Sequence, residues 1–243
     1  MTARVIVNGA LGKMGSLACE TIRQHPDFEL VGALTRKDDL RRAIVEKQAA
    51  IVVDLTRADS VFENSLAIIE SGAHPVIGTS GLLDNQIAAL TELCHARKLG
   101  GIIAPNFSIS AVLMMRFAAE AARYLADVEI IEAHHPQKYD APSGTALKTA
   151  EMIAKAREAG VEPPATHELL AGARGCQHQD VRIHSLRLPG VIARQQVVFG
   201  SLGETLSITH DSIDRACFMP GIVHCCQKVQ QLDGLYYGLE HIL

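Results

Sequence analysis

The sequence predicts an α/β fold in two parts: a doubly wound parallel sheet formed first, then an α+β domain, with a C-terminal helix returning to the first part. Three observations carry this expectation. Over the first hundred residues, short β-branched runs alternate with helical patterns, as βαβ units do. A cluster of glycines follows the first of those runs. Beyond about residue 180, three strand-like runs succeed one another with no helix between them.

Taken in order, residues 4–8 read as a strand, 14–25 as a helix and 29–34 as a second strand. Residues 50–55 are almost entirely apolar, which suits a strand covered on both faces. A helix over 59–71, a strand over 75–78, a helix over 84–97 and a strand over 101–104 complete the doubly wound pattern. A long amphipathic helix over 110–125 then opens the second domain, followed by a strand over 128–133. A helix over 146–159 precedes a loop with Pro163 and Pro164, and strands follow over 181–186, 194–200 and 204–212. Their direct succession suggests an antiparallel sheet. A helical stretch over 215–231 needs a surface for its apolar face, and the first domain is the expected one. The expected domains are therefore 1–106 with 215–243, and 107–214.

Composition narrows the possible functions. With 243 residues the chain can bury a sizeable core, and no apolar run reaches the roughly 18 residues of a membrane span. Its net charge of -4 and lack of a basic stripe argue against a nucleic-acid partner. Met1-Thr2-Ala3-Arg4 leads straight into a strand without the layout of a secretory signal. Six scattered cysteines, none in a C-x-x-C pair, suit reduced thiols in a cytoplasmic protein.

At the end of the first strand stands Gly9-Ala10-Leu11-Gly12-Lys13-Met14-Gly15. Glycines permit a tight turn and let backbone N–H groups approach a pyrophosphate, while the following helix presents its positive end. The spacing is G-x-x-G-x-x-G, so the usual fingerprint is only partly met, and a plain strand-to-helix turn is the alternative. Its place at the start of a βαβ unit favours dinucleotide binding of the Rossmann type. The second strand runs into Thr35-Arg36-Lys37, with no carboxylate until Asp38. Arg36 and Lys37 suit a 2'-phosphate better than a free hydroxyl, which leans toward NADPH over NADH. A solvated loop is the competing reading. Two further strand ends, Gly78-Thr79-Ser80-Gly81 and Ala104-Pro105-Asn106-Phe107-Ser108, carry small or flat residues suited to bordering a nicotinamide, or to ordinary turns.

The densest chemistry lies in Glu132-Ala133-His134-His135-Pro136-Gln137-Lys138-Tyr139-Asp140-Ala141-Pro142-Ser143-Gly144-Thr145-Ala146. Histidine exchanges protons near neutral pH, and a placed lysine donates a proton or balances negative charge. Ser143, Gly144 and Thr145 open a helix whose first N–H groups form an anion site fit for a carboxylate. Together these supply an anion cradle, a cation and a proton source. The paired histidines could instead bind a metal, but no third ligand stands at a familiar zinc spacing, so no metal is expected.

The run from His134 to Ala146 resembles the signature of the dihydrodipicolinate reductases, also called 4-hydroxy-tetrahydrodipicolinate reductases. The glycine turn at residues 9–15, the Gly78-Thr79-Ser80-Gly81 segment, with Ser80 in place of one threonine, and the Ala104-Pro105-Asn106-Phe107-Ser108 segment match the family in order and spacing. So do Ser185-Leu186-Arg187 and the Gly203-Glu204 pair followed by Thr209-His210. The resemblance implies reduction of a small ring dicarboxylate by NADPH or NADH, on the lysine and diaminopimelate pathway in the cytoplasm. It also implies a central domain that binds substrate and builds a homotetramer. It makes His134 the acid/base residue and Lys138 the proton donor, gives His135 to the substrate, and places one carboxylate on Gly144 and Thr145. It assigns the cofactor to Gly9, Ala10, Leu11, Gly12, Lys13 and Met14, with Arg36, Gly78, Thr79, Ser80, Ala104, Pro105, Asn106 and Phe107. Departures are Thr35 in place of a frequent acid, Asp54-Leu55-Thr56-Arg57-Ala58 for D-F-T-x-P, Gln195 for a common histidine, Lys13 for an arginine, and a short second-to-third-strand segment. Another small NAD(P)-dependent dehydrogenase, such as an aspartate dehydrogenase, and a non-catalytic nucleotide sensor are the alternative readings.

Overall fold

The computed structural model describes residues 2–157 and 167–243. The chain runs through β1 (Ala3–Asn8), α1 (Lys13–Gln24), β2 (Phe28–Leu34), α2 (Leu40–Glu46), β3 (Ile51–Asp54), α3 (Val61–Glu70), β4 (His74–Ile77), α4 (Asp84–Arg97) and β5 (Gly101–Ile103). It continues with α5 (Ile109–Ala121), β6 (Asp127–His134), α6 (Gly144–Ala156), β7 (Cys176–His178), β8 (Val181–Arg187), β9 (Ala193–Ser201) and β10 (Glu204–Ser212). The last elements are α7 (Met219–Lys228) and β11 (Leu235–Tyr237). Pro163, Pro164 and the final two positions of the helix expected over 146–159 lie outside the described residues.

Contacts divide the chain into one unit that runs up to Ile109 and resumes over Arg215–Leu243, and a second over Ser110–Asp214. In the first unit, six parallel strands lie in the order β11-β5-β4-β3-β1-β2. The chain leaves β1 for β2 on one side and later crosses to β3 on the other. The loops after β1 and β3 therefore diverge, which opens a crevice at the carboxyl ends of these strands. Ile51, Val52 and Val53 of β3 are wholly buried, and Val52 joins Ile6, Ile77 and Ile103 in the core. Such an apolar centre is what a strand covered on both faces requires. Helix α7 packs on α1 and β4 within the same unit.

The turn after β1 explains two of its glycines. Gly9 adopts a φ of +90°, and a Cβ there would lie 2.4 Å from the Leu55 carbonyl oxygen. A Cβ on Gly15 would lie 2.1 Å from the carbonyl oxygen of Gly9. Only glycine lets the start of α1 sit this close to the turn that precedes it.

The second unit holds a five-stranded sheet in the order β10-β9-β6-β8-β7. It is mixed, which corrects the antiparallel expectation: β6 and β8 pair in parallel, from Glu129 opposite Arg182 to His134 opposite Arg187. The reason is the intervening α6, which carries the chain back so that β8 sets out in the same direction as β6. The remaining neighbours are antiparallel.

Three short elements escaped the sequence reading. Helix α2 spans two turns and buries only Ala43 and Ile44, too few for a visible period, though Asp39 caps it by accepting the Arg42 N–H at 3.0 Å. Strands β7 and β11 are three residues each. The C-terminal helical stretch also divides, with 3₁₀ turns at Arg215–Phe218 and Val229–Gln231 on either side of α7. Gly15→Ala is expected to lower the stability of the chain by about 1–3 kcal/mol through overpacking. A thermal unfolding scan checks this, and an unchanged melting temperature would mean that the turn relaxes without strain.

Candidate active site

In the first unit, a cleft of about 660 Å³ opens at the carboxyl ends of β1, β2 and β3. Its lining includes Gly9, Leu11 and Gly12 from the glycine turn and Thr35, Arg36 and Asp38 from the end of β2. Helix α1 starts here at Gly12 with no side-chain cap and no acidic residue in its first turn. Its N–H groups and positive dipole end are thus left for an anion, and the volume suits a dinucleotide's phosphates and adenosine. The residues present fit a pyrophosphate-bearing cofactor.

One buried carboxylate ties this crevice together. Asp54, at the end of β3, is inaccessible to water. It accepts from Asn8 Nδ2 at 2.9 Å, Asn64 Nδ2 at 3.0 Å, Thr56 Oγ1 at 2.7 Å and Thr79 Oγ1 at 2.7 Å. The Thr79 hydroxyl in turn accepts the Thr56 N–H at 2.8 Å. The ends of β1, β3 and β4 are locked to one another by these bonds. Thr79 therefore spends its hydroxyl on Asp54.

Of the residues expected to hold cofactor, Gly9, Leu11, Gly12 and Arg36 line the cleft. Ala10 is buried within the turn, and Lys13 and Lys37 are exposed beside it. Gly78, Thr79 and Ser80 follow β4, and Ala104, Pro105, Asn106 and Phe107 follow β5, outside the cleft but at the same sheet edge. A Cβ on Gly78 would fall 2.3 Å from the ring of Phe107, so the two segments touch only because Gly78 has no side chain. Asn106 Oδ1 accepts the Ser108 N–H at 2.8 Å and steadies the second segment.

The second unit brings the expected chemical residues to the end of β6. Alternation along that strand puts Glu132 and His134 on one face, beside Ser185 and Arg187 of β8. Glu132 is fully buried. Its carboxylate takes a two-pronged pair from Arg187, both bonds at 3.0 Å, and lies 2.6 Å from His134 Nδ1. Burial alone would push the Glu132 carboxyl up, but hydrogen bonds from His134, Arg187 and Ser185 outweigh it and hold the group down to about 2. An ionised carboxylate only accepts, so His134 Nδ1 carries the hydrogen and Nε2 is the nitrogen left to exchange a proton.

Arg187 also reaches the loop after β6, where it donates to the Asp140 carbonyl at 2.6 Å. The Asp140 carboxylate holds Lys138 Nζ at 2.8 Å by both oxygens. One arginine thus positions the partner of His134 and the residue that grips Lys138. The pairing lowers the Asp140 carboxyl, chiefly through the bond from Lys138. Ser143 caps α6 by accepting the Ala146 N–H at 3.2 Å. A Cβ on Gly144 would meet nothing, so the space over this helix start is open. His135 Nδ1 is buried without a hydrogen-bond partner among the described residues, a donor or acceptor free for a ligand.

The sequence reading named His134, His135, Lys138, Ser143, Gly144 and Thr145, and all lie in this stretch. It gave no role to Glu132, Arg187 or Asp140. The signal for Glu132 was present, as an acid two residues before a histidine and so on the same face of the strand. Gln195, set where a histidine is common, is buried, stands directly across from Glu132 in the β6–β9 ladder, and donates to Thr149 Oγ1 at 2.7 Å.

The dihydrodipicolinate reductase N-terminal family model matches residues 3–107, and the model for the C-terminus of the same family matches residues 110–243. The chain is 63% identical over all 243 residues, covering both proteins fully, to 4-hydroxy-tetrahydrodipicolinate reductase of Legionella pneumophila. It is 53% identical, again over both full lengths, to the Coxiella burnetii protein of that name. Among solved structures, dipicolinate-bound dihydrodipicolinate reductase from Paenisporosarcina sp. TG-14 superposes with a TM-score of 0.91 at 43% identity over the whole of both chains.

The Glu132 geometry generates a pH dependence. Its folded value of about 2 lies below the ordinary 4.5, so its contribution is complete above pH 4.5 and is lost as pH falls toward 2. Urea titrations over that window should show declining stability, and Glu132→Gln should flatten that part of the profile. Arg187→Ala leaves a buried carboxylate without its cation and should cost about 3 kcal/mol at neutral pH.

Proposed function

The chain belongs to the dihydrodipicolinate reductase family, and from that premise we propose how its residues reduce 4-hydroxy-tetrahydrodipicolinate to tetrahydrodipicolinate, a step toward diaminopimelate and lysine. The observation that carries the reading is the Arg187–Glu132–His134 chain, which Arg187 ties to the loop that carries Lys138 and leads to the open start of α6. It combines a proton source, a cation and a carboxylate cradle.

NADPH or NADH, when bound, supplies the hydride. Gly9, Ala10, Leu11, Gly12, Lys13 and Met14 receive its pyrophosphate on the start of α1. Arg36 and Lys37, which form no ion pair among the described residues, favour NADPH through its 2'-phosphate. The segments Gly78–Thr79–Ser80 and Ala104–Pro105–Asn106–Phe107 border the nicotinamide. Gly144 and Thr145, behind the Ser143 cap, bind one substrate carboxylate, and His135 offers its free Nδ1 to the substrate. His134, held in one tautomer by Glu132, works as acid/base through Nε2. Lys138 gives up Asp140 for the substrate's negative charge and supplies the proton that accompanies the hydride, while the substrate's 4-hydroxyl leaves as water. The dipicolinate held by the Paenisporosarcina relative, a flat ring with two carboxylates, supports a site of this chemistry here.

The residues 107–214 are proposed as the substrate and assembly domain, with 1–106 and 215–243 for the dinucleotide. A homotetramer is supported by the face of the second sheet that alternates away from its buried side, where Ile131 and Leu186 stay partly exposed. A cytoplasmic enzyme fits the reduced cysteines and the absence, among the described residues, of any helix long and apolar enough to cross a membrane.

In an assay coupled to the upstream synthase, absorbance of NADPH should fall faster than that of NADH. Lys138→Ala should reduce kcat by about 10²-fold or more, the usual range for a positioned proton donor, while the Kd for nucleotide stays unchanged. Wild-type turnover in that variant would remove Lys138 from the mechanism.

A further inference from the structure

In dinucleotide folds the residue ending the second strand is often an acid that binds the adenosine ribose. Here the strand ends at Leu34 and the next residue is Thr35, which has no charge. The structure puts a carboxylate there by another route. Asp38 turns back on the strand end, and its Oδ2 accepts both the Thr35 N–H at 2.8 Å and the Thr35 hydroxyl at 2.9 Å. The Asp38 N–H closes the turn on the Thr35 carbonyl at 3.0 Å, and Lys37 N–H donates to Thr35 Oγ1 at 3.3 Å.

Three features make this carboxylate available to a ligand. Its Oδ1 has no protein partner among the described residues. It lines the same cleft as Gly9, Gly12, Thr35 and Arg36. The neighbouring acid, Asp39, is committed to the cap of α2 and cannot serve instead. The Thr35 N–H, with the Thr35 hydroxyl second, also holds the Asp38 carboxyl below its ordinary range, so the group is a fixed anion at working pH.

We propose that Asp38 is a specificity-determining residue of the cofactor cleft: its free Oδ1 accepts from the ribose 2'-hydroxyl of NADH and repels the 2'-phosphate of NADPH, in opposition to Arg36. This rests on the dinucleotide reading above. The two charges flank Lys37 in the chain and act on the same ligand atom with opposite sign. The cleft therefore sets a ratio of use between two cofactors, and Asp38 restrains a preference that Arg36 creates. Thr35 matters because it anchors the anion before any ligand arrives, so little ordering is needed on binding.

The test compares 5'-ADP with 2',5'-ADP, which report the adenosine end without catalysis, by calorimetry on wild type, Asp38→Asn and Arg36→Ala. Asparagine keeps an oxygen for the Thr35 N–H and removes the charge. Asp38→Asn should raise the 2',5'-ADP to 5'-ADP affinity ratio about tenfold, the scale of one charged hydrogen bond. The NADPH to NADH ratio of kcat/KM should rise with it. Arg36→Ala should move both ratios the other way. Should either protein unfold early in a melting scan, Asp38→Ser and Arg36→Gln replace them with the same expected signs. An unchanged ratio in the Asp38 variants, with both fragments still bound, overturns the proposal and leaves the dinucleotide cleft intact. Failure of wild type to bind either fragment overturns the dinucleotide reading, and the role of Asp38 with it.

Discussion

A carboxylate cut off from water is unstable unless protein donors replace the solvent it has lost, and each unit of this chain is organised around one. Asp54 gathers four side-chain donors from three strand ends and a helix. Glu132 gathers a guanidinium, an imidazole and a hydroxyl from two strands. In both cases the acid is itself shut away from the surface and compels neighbouring groups to converge at the strand ends. Removing either charge would leave the sheets paired by their backbones but release the side chains that give the strand ends their chemistry.

The second of these clusters shows how rigidity passes from sheet to loop. A strand residue is fixed by its pairing, whereas Lys138 and Asp140 sit in a segment with no ladder to hold it. Arg187 bridges the difference, with one side of its planar fork on Glu132 and a nitrogen on a loop carbonyl. The parallel pairing of β6 and β8 makes this possible, because it sets Arg187 directly across from His134 at the strand ends. In an antiparallel arrangement the same two residues would not share that end.

Much of this was legible in the sequence because it depends on local periodicity. The buried strand around Val52, the glycine turn and the helix opened by Ser143 are each announced by a few adjacent residues. Features set by pairing over distance were not. Nothing near Glu132 in the chain indicates Arg187, more than fifty residues later. The direction of β8 depends on where α6 delivers the chain, and three-residue strands such as β7 and β11 carry no period at all. The role of Asp38 was hidden for a further reason. Its position three residues past Thr35 only becomes a strand-end position once the turn is folded.

Strand β11 has a bearing on how the molecule is made. It pairs with β5, yet more than a hundred residues separate them along the chain, and all of the second unit is synthesised in between. On the ribosome the nucleotide unit is the earliest to begin and the last to be finished. Until Leu235, Tyr236 and Tyr237 emerge, β5 presents a bare ladder edge of the kind that recruits foreign strands. The second unit, continuous from Ser110 to Asp214, meets no such delay. Nascent chains should therefore complete their second unit while the first is still an open sheet, exposed to chaperones and to its own copies.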